Sequence, residues 1–235
     1  SNVFEKVQEL LEEMHKEMGD VELRPVITGS GGLSLSKLIG VHFEQEVISC
    51  SKAVETLIPE TEVAIELGGE DAKSTFYGST IEQRMNGTCA GGTGAFIDQM
   101  ATLLGITADE LDALSLNAEK IYPIASRCGV FAKSDIQPLL NQGALREDIA
   151  ASIFQAVVDQ TVSGLAQGRT IEGKVLFLGG PLHFLTGLKK AFVNTLGLDA
   201  EQIFGAIKEN YSHYENRVET QSALDKYQQD YETWS

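Results

Sequence analysis

The sequence of 235 residues has few cysteines, few basic residues and no long apolar run. Its three cysteines, Cys50, Cys89 and Cys128, are too few and odd in number for a disulfide framework. We therefore expect a reducing cytoplasm, where thiols remain reduced or bind metals. Lysine and arginine total 18 against 34 acidic residues, and the net charge of −16 argues against a general nucleic-acid binder. The sequence contains no run of 18 or more apolar residues, so no membrane span is predicted, and the first residues show no secretory signal.

Strands and helices alternate along the chain, which predicts an α/β fold. Apolar residues that recur every three or four positions predict helices over residues 3–18, 34–39, 46–58, 94–104, 108–114, 134–140, 147–167 and 182–196. Short apolar runs predict strands over 23–27, 62–67 and 175–178, a hairpin over 76–85 and an extended segment over 121–124. The stretch from Asp199 onward has no clear pattern.

Glycine-rich turns follow short apolar runs in three segments, residues 64–73, 89–94 and 176–181. Glycine lets backbone N–H groups approach phosphate oxygens, and a following helix adds its N-terminal dipole. Carboxylates beside one turn could hold a hydrated metal ion or position an attacking water. The alternative is that these glycines only form tight turns, since the chain has neither a P-loop nor a G-x-G-x-x-G fingerprint.

Two of the cysteines lie beside glycines, Cys89 in Cys89-Ala90-Gly91-Gly92 and Cys128 in Cys128-Gly129. Because C-x-x-C pairs are absent, one chain cannot complete a four-thiolate iron–sulfur site. Two chains related by a twofold axis could do so. The alternative is that both cysteines are small buried apolar residues. Cys50, in a predicted helix, is interpreted as structural.

The stretch 86–94 (NGTCAGGTG) and the stretch 128–135 (CGVFAKSD), with their cysteines 39 positions apart, resemble the BadF/BadG/BcrA/BcrD ATPase family. That family contains activators of 2-hydroxyacyl-CoA dehydratases and ATPase subunits of benzoyl-CoA reductase. The resemblance extends from about residue 26 to 198, and the sequence is more similar to those of the large multi-domain members than to those of the stand-alone activators.

The resemblance implies an α/β fold of the actin/Hsp70/sugar-kinase type (ribonuclease H-like), with two lobes and ATP in the cleft between them. The lobes are predicted at residues 1–85 and 86–235. The family begins with a strand and a D-x-G-S-T-type turn, and no such turn precedes the first helix here. We therefore expect a fragment whose first lobe is incomplete at its N-terminus. Glu66 stands where small activators carry aspartate, and the family's closing P-E-N and G-A-A-L segments have no clear match after Leu198.

The resemblance also implies the site residues. The second phosphate-binding turn would contain Gly68, Gly69, Asp71 and Lys73, with Glu70 as the catalytic residue near the attacking water. Gly91, Gly92 and Thr93 would face the phosphates of ATP or ADP with Mg²⁺, and Gly179, Gly180 and Leu182 would border the adenosine. Cys89 and Cys128 of each subunit of a homodimer would bind one shared 4Fe–4S cluster.

In such a protein, ATP hydrolysis changes the angle of the dimer and drives a low-potential electron from the cluster into an acyl-CoA dehydratase or reductase-type partner. A ferredoxin- or flavodoxin-type donor would supply that electron, and neither nucleic acid nor membrane is an expected partner. Two alternatives stay open. One is a non-catalytic nucleotide-binding regulatory or assembly module, and the other is a small-molecule kinase on the same fold.

Overall fold

The computed structural model describes residues 3–29, 31–86, 91–126, 128–199 and 203–205. Within them the helices are α1 Val3–Met18, α2 Gly32–Ile39, α3 Glu46–Leu57, α4 Gly94–Leu104, α5 Ala108–Ser115, α6 Gly129–Asn141, α7 Arg146–Ala166, α8 Gly180–Phe184 and α9 Thr186–Leu196. The strands are β1 Val26–Ile27, β2 His42–Phe43, β3 Val63–Leu67, β4 Ala72–Phe76, β5 Glu82–Met85, β6 Val175–Leu178 and β7 Ile203–Gly205. The α/β fold class is confirmed.

The chain divides into two compact units, Ser1–Glu60 and Thr61–Ser235. Strands on both sides of residue 85 join one sheet of the second unit, since β3 pairs with β6. These units therefore divide the chain at a different place from the lobes 1–85 and 86–235, which stay a prediction.

The first unit contains α1, α2, α3 and a parallel pair of short strands, β1 and β2. The predicted helix over residues 3–18 is confirmed, and it ends at Gly19, which adopts φ +71°. A glycine with positive φ commonly ends a helix, because glycine adopts this conformation without steric cost. The strand predicted over 23–27 is shorter than expected, since pairing with β2 begins at Val26.

The second unit is built on a sheet whose described strands lie in the order β5-β4-β3-β6-β7. β3 is central, antiparallel to β4 and parallel to β6. Its apolar side chains are fully or almost fully buried, which explains why a short run of Val, Ala, Ile and Leu forms a strand here. Because the ends of β3 and β6 are in register at Glu66 and Leu178, the turns that follow both strands lie at the same edge of the sheet.

The longest helix, α7, is the core helix of this unit. By length and mean hydropathy it could cross a membrane, but 61% of its most apolar window is buried inside the protein. Its buried residues include Ile149, Ile153 and Val157, spaced by four residues as the sequence predicts. The extended segment predicted over 121–124 forms no strand; it is bound to α7 by side-chain hydrogen bonds described below.

Three further elements differ from the sequence predictions. Residues 72–76 form β4, which was missed because Lys73, Ser74 and Thr75 are polar although they are buried. Helix α6 begins at Gly129 rather than at residue 134. The helix predicted over 182–196 is two helices, α8 and α9.

The break between α8 and α9 has a specific cause in the carboxylate of Asp112. Its oxygens accept hydrogen bonds from the backbone N–H groups of Thr186, at 3.0 Å, and Gly187, at 2.7 Å. These are the first N–H groups of α9, and they have no partner inside their own helix. A residue of α5, distant in the sequence, therefore begins a new helix there.

Candidate nucleotide and metal site

The turn after β3 is a tight hairpin, Gly68–Asp71, that leads directly into β4. The Gly68 N–H donates to the Asp71 carbonyl at 2.8 Å. A Cβ on Gly68 would lie 2.1 Å from Asp71 Oδ1, so a larger residue would displace this carboxylate. In contrast, a Cβ on Gly69 would meet no atom within 4 Å. The tip of the hairpin is therefore open while its base is closely packed.

The N-terminus of α4 is bound to this hairpin through its backbone. The N–H groups of Gly94 and Ala95 donate to the carbonyl oxygens of Gly68, at 2.9 Å, and Gly69, at 2.7 Å. A Cβ on Gly94 would lie 3.3 Å from the Gly68 oxygen and 3.3 Å from Pro181 Cγ. Gly94 therefore lies where two other turns of the chain meet.

The turn after β6 packs on the other side of β3. Gly179 adopts φ +91° and ψ 158°, a conformation almost restricted to glycine. A Cβ there would lie 2.0 Å from the backbone oxygen of Leu67. The next residue, Gly180, is exposed and would place a Cβ in open space. The three glycine-rich segments thus converge at one edge of the sheet, with two glycines, Gly69 and Gly180, facing open space.

A charged cluster stands behind the hairpin. Lys73 on β4 has a side chain only 5% exposed, and its Nζ lies 3.2 Å from Glu66 Oε1 and 2.9 Å from Asp71 Oδ2. Pairing with two carboxylates offsets the cost of burying the ammonium group. Glu70, at the tip of the hairpin, is exposed. The hairpin therefore presents carboxylates to solvent and keeps its lysine inside.

The segment that carries Cys128 lies beside α4. Cys128 is half-buried at the N-cap position of α6. A Cβ on the next residue, Gly129, would lie 2.6 Å from Gln99 Oε1, so α6 begins in close contact with α4. Two large apolar side chains follow, Val130 and Phe131, which are 70% and 65% exposed.

Cys89 lies outside the described residues, which end at Asn86 before it and resume at residue 91. On one side, Asn86 exchanges two hydrogen bonds with Ala72 at the start of β4, at 2.8 Å and 2.9 Å. On the other side, Gly92 is buried with φ +81° and packs on α7. Among the residues that the structure describes, no group of three or more His, Cys, Asp or Glu side chains is placed to hold a metal ion.

Comparison with known proteins gives the family. Residues 1–214 match the BadF/BadG/BcrA/BcrD ATPase family. The chain belongs to this ATPase family. It is 30% identical over 208 residues to the 2-hydroxyisocaproyl-CoA dehydratase activator of Clostridioides difficile, covering 85% of this chain and 76% of that protein.

Solved structures of two activators are similar to this BadF/BadG/BcrA/BcrD-family chain. Component A of the (R)-2-hydroxyglutaryl-CoA dehydratase from Acidaminococcus fermentans has a TM-score of 0.72 and 28% identity, over 85% of this chain and 75% of that one. The activator of the 2-hydroxyisocaproyl-CoA dehydratase from Clostridium difficile, with bound ADPNP, has a TM-score of 0.71 and 29% identity, over 84% and 73%. The family resemblance is confirmed, and the α/β fold is that of these activators.

The site residues predicted for this family member occupy different environments. Gly68, Gly69, Asp71, Gly179 and Gly180 come together at the sheet edge. Gly91, Gly92 and Thr93 are buried behind it, and the Thr93 residue is fully inaccessible. Leu182 is 1% exposed as a whole residue, and its side chain lies in the hydrophobic core. The roles of all these residues, of Glu70 and of the two cysteines stay predictions.

Several residues that organise the site in this family member were missed from the sequence. Asp148 Oδ1 on α7 accepts the backbone N–H groups of residues 119 and 120, at 2.9 Å and 3.0 Å. Ser152 Oγ accepts the N–H of Tyr122 at 2.8 Å, and Asp135 Oδ2 accepts that of Ala125 at 2.8 Å. These contacts bind the chain that leads to Cys128. A useful signal was the four-residue spacing of Asp148 and Ser152 on an otherwise apolar helix.

Proposed function

We propose that this protein is an ATP-dependent activator that delivers a low-potential electron to an acyl-CoA dehydratase or reductase-type enzyme. The observation that carries the ATP half of this proposal is the convergence of three glycine-rich turns at one edge of the sheet. Gly94 N–H binds the Gly68 carbonyl, and Gly179 packs on Leu67. Family membership and the ADPNP bound to a similar activator support the same conclusion.

The open glycines suggest where the nucleotide would bind. Gly69 and Gly180 have no side chain to keep a phosphate or a ribose from the backbone, and no atom of the part of the chain that the structure describes lies within 4 Å of a Cβ placed on either. Carboxylates of Glu70 and Asp71 on the same hairpin are ligands that Mg²⁺ prefers, usually through retained waters. Glu70 is exposed, as a group that positions an attacking water must be.

The nucleotide site can be tested by filling this open space. We expect Gly69→Val and Gly180→Val to remain folded and to weaken ATP binding at least tenfold, measured by isothermal titration calorimetry. Gly78→Val is the matched control, since a Cβ on Gly78 also meets no atom within 4 Å but Gly78 lies between β4 and β5. Equal ATP affinity in the three variants would contradict the proposed site.

The electron-transfer half of the proposal concerns the cysteines. We infer that Cys89 and Cys128 of two copies of the chain hold one 4Fe–4S cluster, because one copy offers too few ligands. The exposed Val130 and Phe131 directly after Cys128 support an interface there, because a partner that covered them would remove apolar surface from water. When bound, such a cluster supplies one-electron transfer at low potential.

Iron binding tests this second half. Purified without oxygen and supplied with iron and sulfide, the protein should turn brown, dimerise and bind about four irons per dimer. Cys128→Ala and Cys89→Ala should bind far less iron, whereas Cys50→Ala, in α3 of the first unit, should match the wild type. A colourless wild-type protein that binds ATP without hydrolysing it would favour a regulatory module, and one that phosphorylates an added acid or sugar would favour a small-molecule kinase.

Electron delivery is the third test. A reduced ferredoxin or flavodoxin should reduce the cluster, and adding ATP together with a 2-hydroxyacyl-CoA dehydratase component should reoxidise it. The reoxidation should require both ATP and the dehydratase, monitored by the visible absorption of the cluster. Reoxidation at the same rate without ATP would contradict an ATP-driven activator.

A further inference from the structure

One side chain of α7, Gln160, touches both segments that lead to the cysteines. Gly92 lies on one side of it, where a Cβ would be 3.2 Å from Gln160 Cγ and 3.5 Å from Gln160 Cβ. Ser126, two residues before Cys128, donates its hydroxyl to Gln160 Oε1 at 3.4 Å. Gly164, one turn further along α7, leaves room for the Gln160 amide, since a Cβ there would lie 3.0 Å from Nε2.

The position of Gln160 on α7 gives this contact a structural context. Asp148, Ser152 and Gln160 are four and then eight residues apart, so they follow a gradual spiral around α7, with Gln160 about 120° around the helix from Asp148. Each accepts a hydrogen bond from the chain between α5 and α6, which approaches Cys128 along this spiral. Gln160 is the member of this series that also contacts the glycine segment after Cys89. The half-buried amide thus joins two segments that are distant in sequence.

We propose that Gln160 is a positioning residue that fixes the Cys128 segment relative to the Cys89 segment. The proposal rests on the proposed function in so far as these two cysteines bind one cluster. Residues that hold ligands in place from outside the coordination sphere strongly affect metal affinity, because a ligand that must be reoriented binds less tightly. When the packing under Gly92 and one neutral hydrogen bond are lost, both segments should open to solvent about three to ten times more often.

The first test uses the metal-free protein. Gln160→Ala removes the stem under Gly92 and the acceptor of Ser126 together. Labelling with a thiol reagent, followed residue by residue by mass spectrometry, should become about three- to tenfold faster at both Cys89 and Cys128. Cys50 serves as the internal reference and should label at an unchanged rate. Acceleration at neither cysteine, or at one alone, overturns the proposal.

Two variants separate positioning from a general loss of stability. Gln155→Ala is the matched control, because Gln155 is a half-buried glutamine of the same helix that bonds Asp159 at 2.9 Å and Thr195 at 3.0 Å, away from the cysteine segments. Gln160→Glu retains the stem and an acceptor oxygen. Both variants should label within about twofold of the wild type, with unfolding midpoints close to that of Gln160→Ala.

The second test uses the iron-loaded dimer and a chelator. Iron release should be about three- to tenfold faster from Gln160→Ala, and within about twofold of the wild type from Gln155→Ala and Gln160→Glu. If wild-type protein takes up no iron but the labelling changes as stated, the proposed function fails and the positioning role of Gln160 is supported. If the wild type binds iron and Gln160→Ala behaves as Gln155→Ala in both tests, the positioning role alone is overturned.

Discussion

Gly179→Ala is the substitution whose cost the structure defines most clearly. The backbone at Gly179, with φ +91° and ψ 158°, lies in a region where a residue with a Cβ is strained by about 1–3 kcal/mol. The added Cβ would also lie 2.0 Å from the oxygen and 2.7 Å from the carbonyl carbon of Leu67. These are backbone atoms of the central strand β3, which is hydrogen-bonded on both sides and cannot easily move.

Overpacking of this kind adds a further cost of about 1–3 kcal/mol. The two terms predict that Gly179→Ala lowers the free energy of unfolding by about 2–6 kcal/mol, a large part of the ~5–15 kcal/mol typical of a domain. With a urea slope of about 2 kcal/mol per M, the midpoint should fall by about 1–3 M. Urea titration followed by far-ultraviolet circular dichroism measures this shift.

The adjacent residue provides the control. Gly180→Ala adds the same methyl group at the first position of α8, where it meets no atom within 4 Å beyond its chain neighbours, and only the following Pro181 restricts its backbone. Its midpoint should fall by much less than that of Gly179→Ala. Equal midpoints for Gly179→Ala and Gly180→Ala would refute the reasoning, because they would show that the turn relaxes away from β3.

Three further substitutions test the surroundings of the site by urea or thermal unfolding. Asp112→Ala should lower the free energy of unfolding by about 1–3 kcal/mol, because two N–H groups at the start of α9 lose a charged acceptor. Lys73→Met should cost about 1–3 kcal/mol at pH 7, since two carboxylates lose their shared counter-charge and one of them is partly solvated. A hydrogen bond from Arg84 lowers the pKa of Glu82 below its ordinary value, so the ionised form stabilises the fold. The stability advantage of wild type over Glu82→Gln should be present at pH 7, decline below about pH 4.3 and vanish once the pH falls below the lowered pKa.

All three predictions have a contrary result, and the first also has a control variant. Asp109→Ala, in the exposed first turn of α5, should change stability by no more than about 0.5 kcal/mol; an equal loss at both aspartates would contradict the capping role of Asp112. A Lys73→Met protein as stable as the wild type would show that the cluster relaxes into water. A stability difference between wild type and Glu82→Gln that does not depend on pH would mean that Glu82 stabilises the fold through packing and not through its charge.

The local sequence pattern was sufficient to predict many of the helices. Residues 94–104 and 147–167 are apolar at helical spacing, and the structure places them in α4 and α7. The helix predicted to follow Thr107 begins with a capping box, in which the Glu110 N–H donates to the Thr107 hydroxyl at 3.2 Å. In each case the interactions that define the element come from residues within one or two helical turns.

Elements defined by distant residues were predicted poorly. β4 is buried although it contains Lys73, and the carboxylates that make this burial possible lie on β3 and in the hairpin. The separation of α8 from α9 depends on Asp112, which precedes α9 by more than 70 residues. The glycine turns were recognised one by one, but their convergence depends on the bonds between Gly94 and Gly68, which no local pattern encodes.

Helix α4 is the element through which the two halves of the proposed function meet. Its first N–H groups bind the carbonyl oxygens of Gly68 and Gly69, and Gln99, in the middle of the helix, lies beside Gly129, which follows Cys128. Gln99 is five residues beyond Gly94, so only about 7.5 Å of hydrogen-bonded helix separates the two contacts. A nucleotide that shifts the hairpin would therefore also shift the start of α6. Gly129 packs against the side chains of Gln99 and the buried Met100, whose atoms would lie 2.6 Å and 3.7 Å from a Cβ there, so a movement of α4 reaches the Cys128 segment through these contacts.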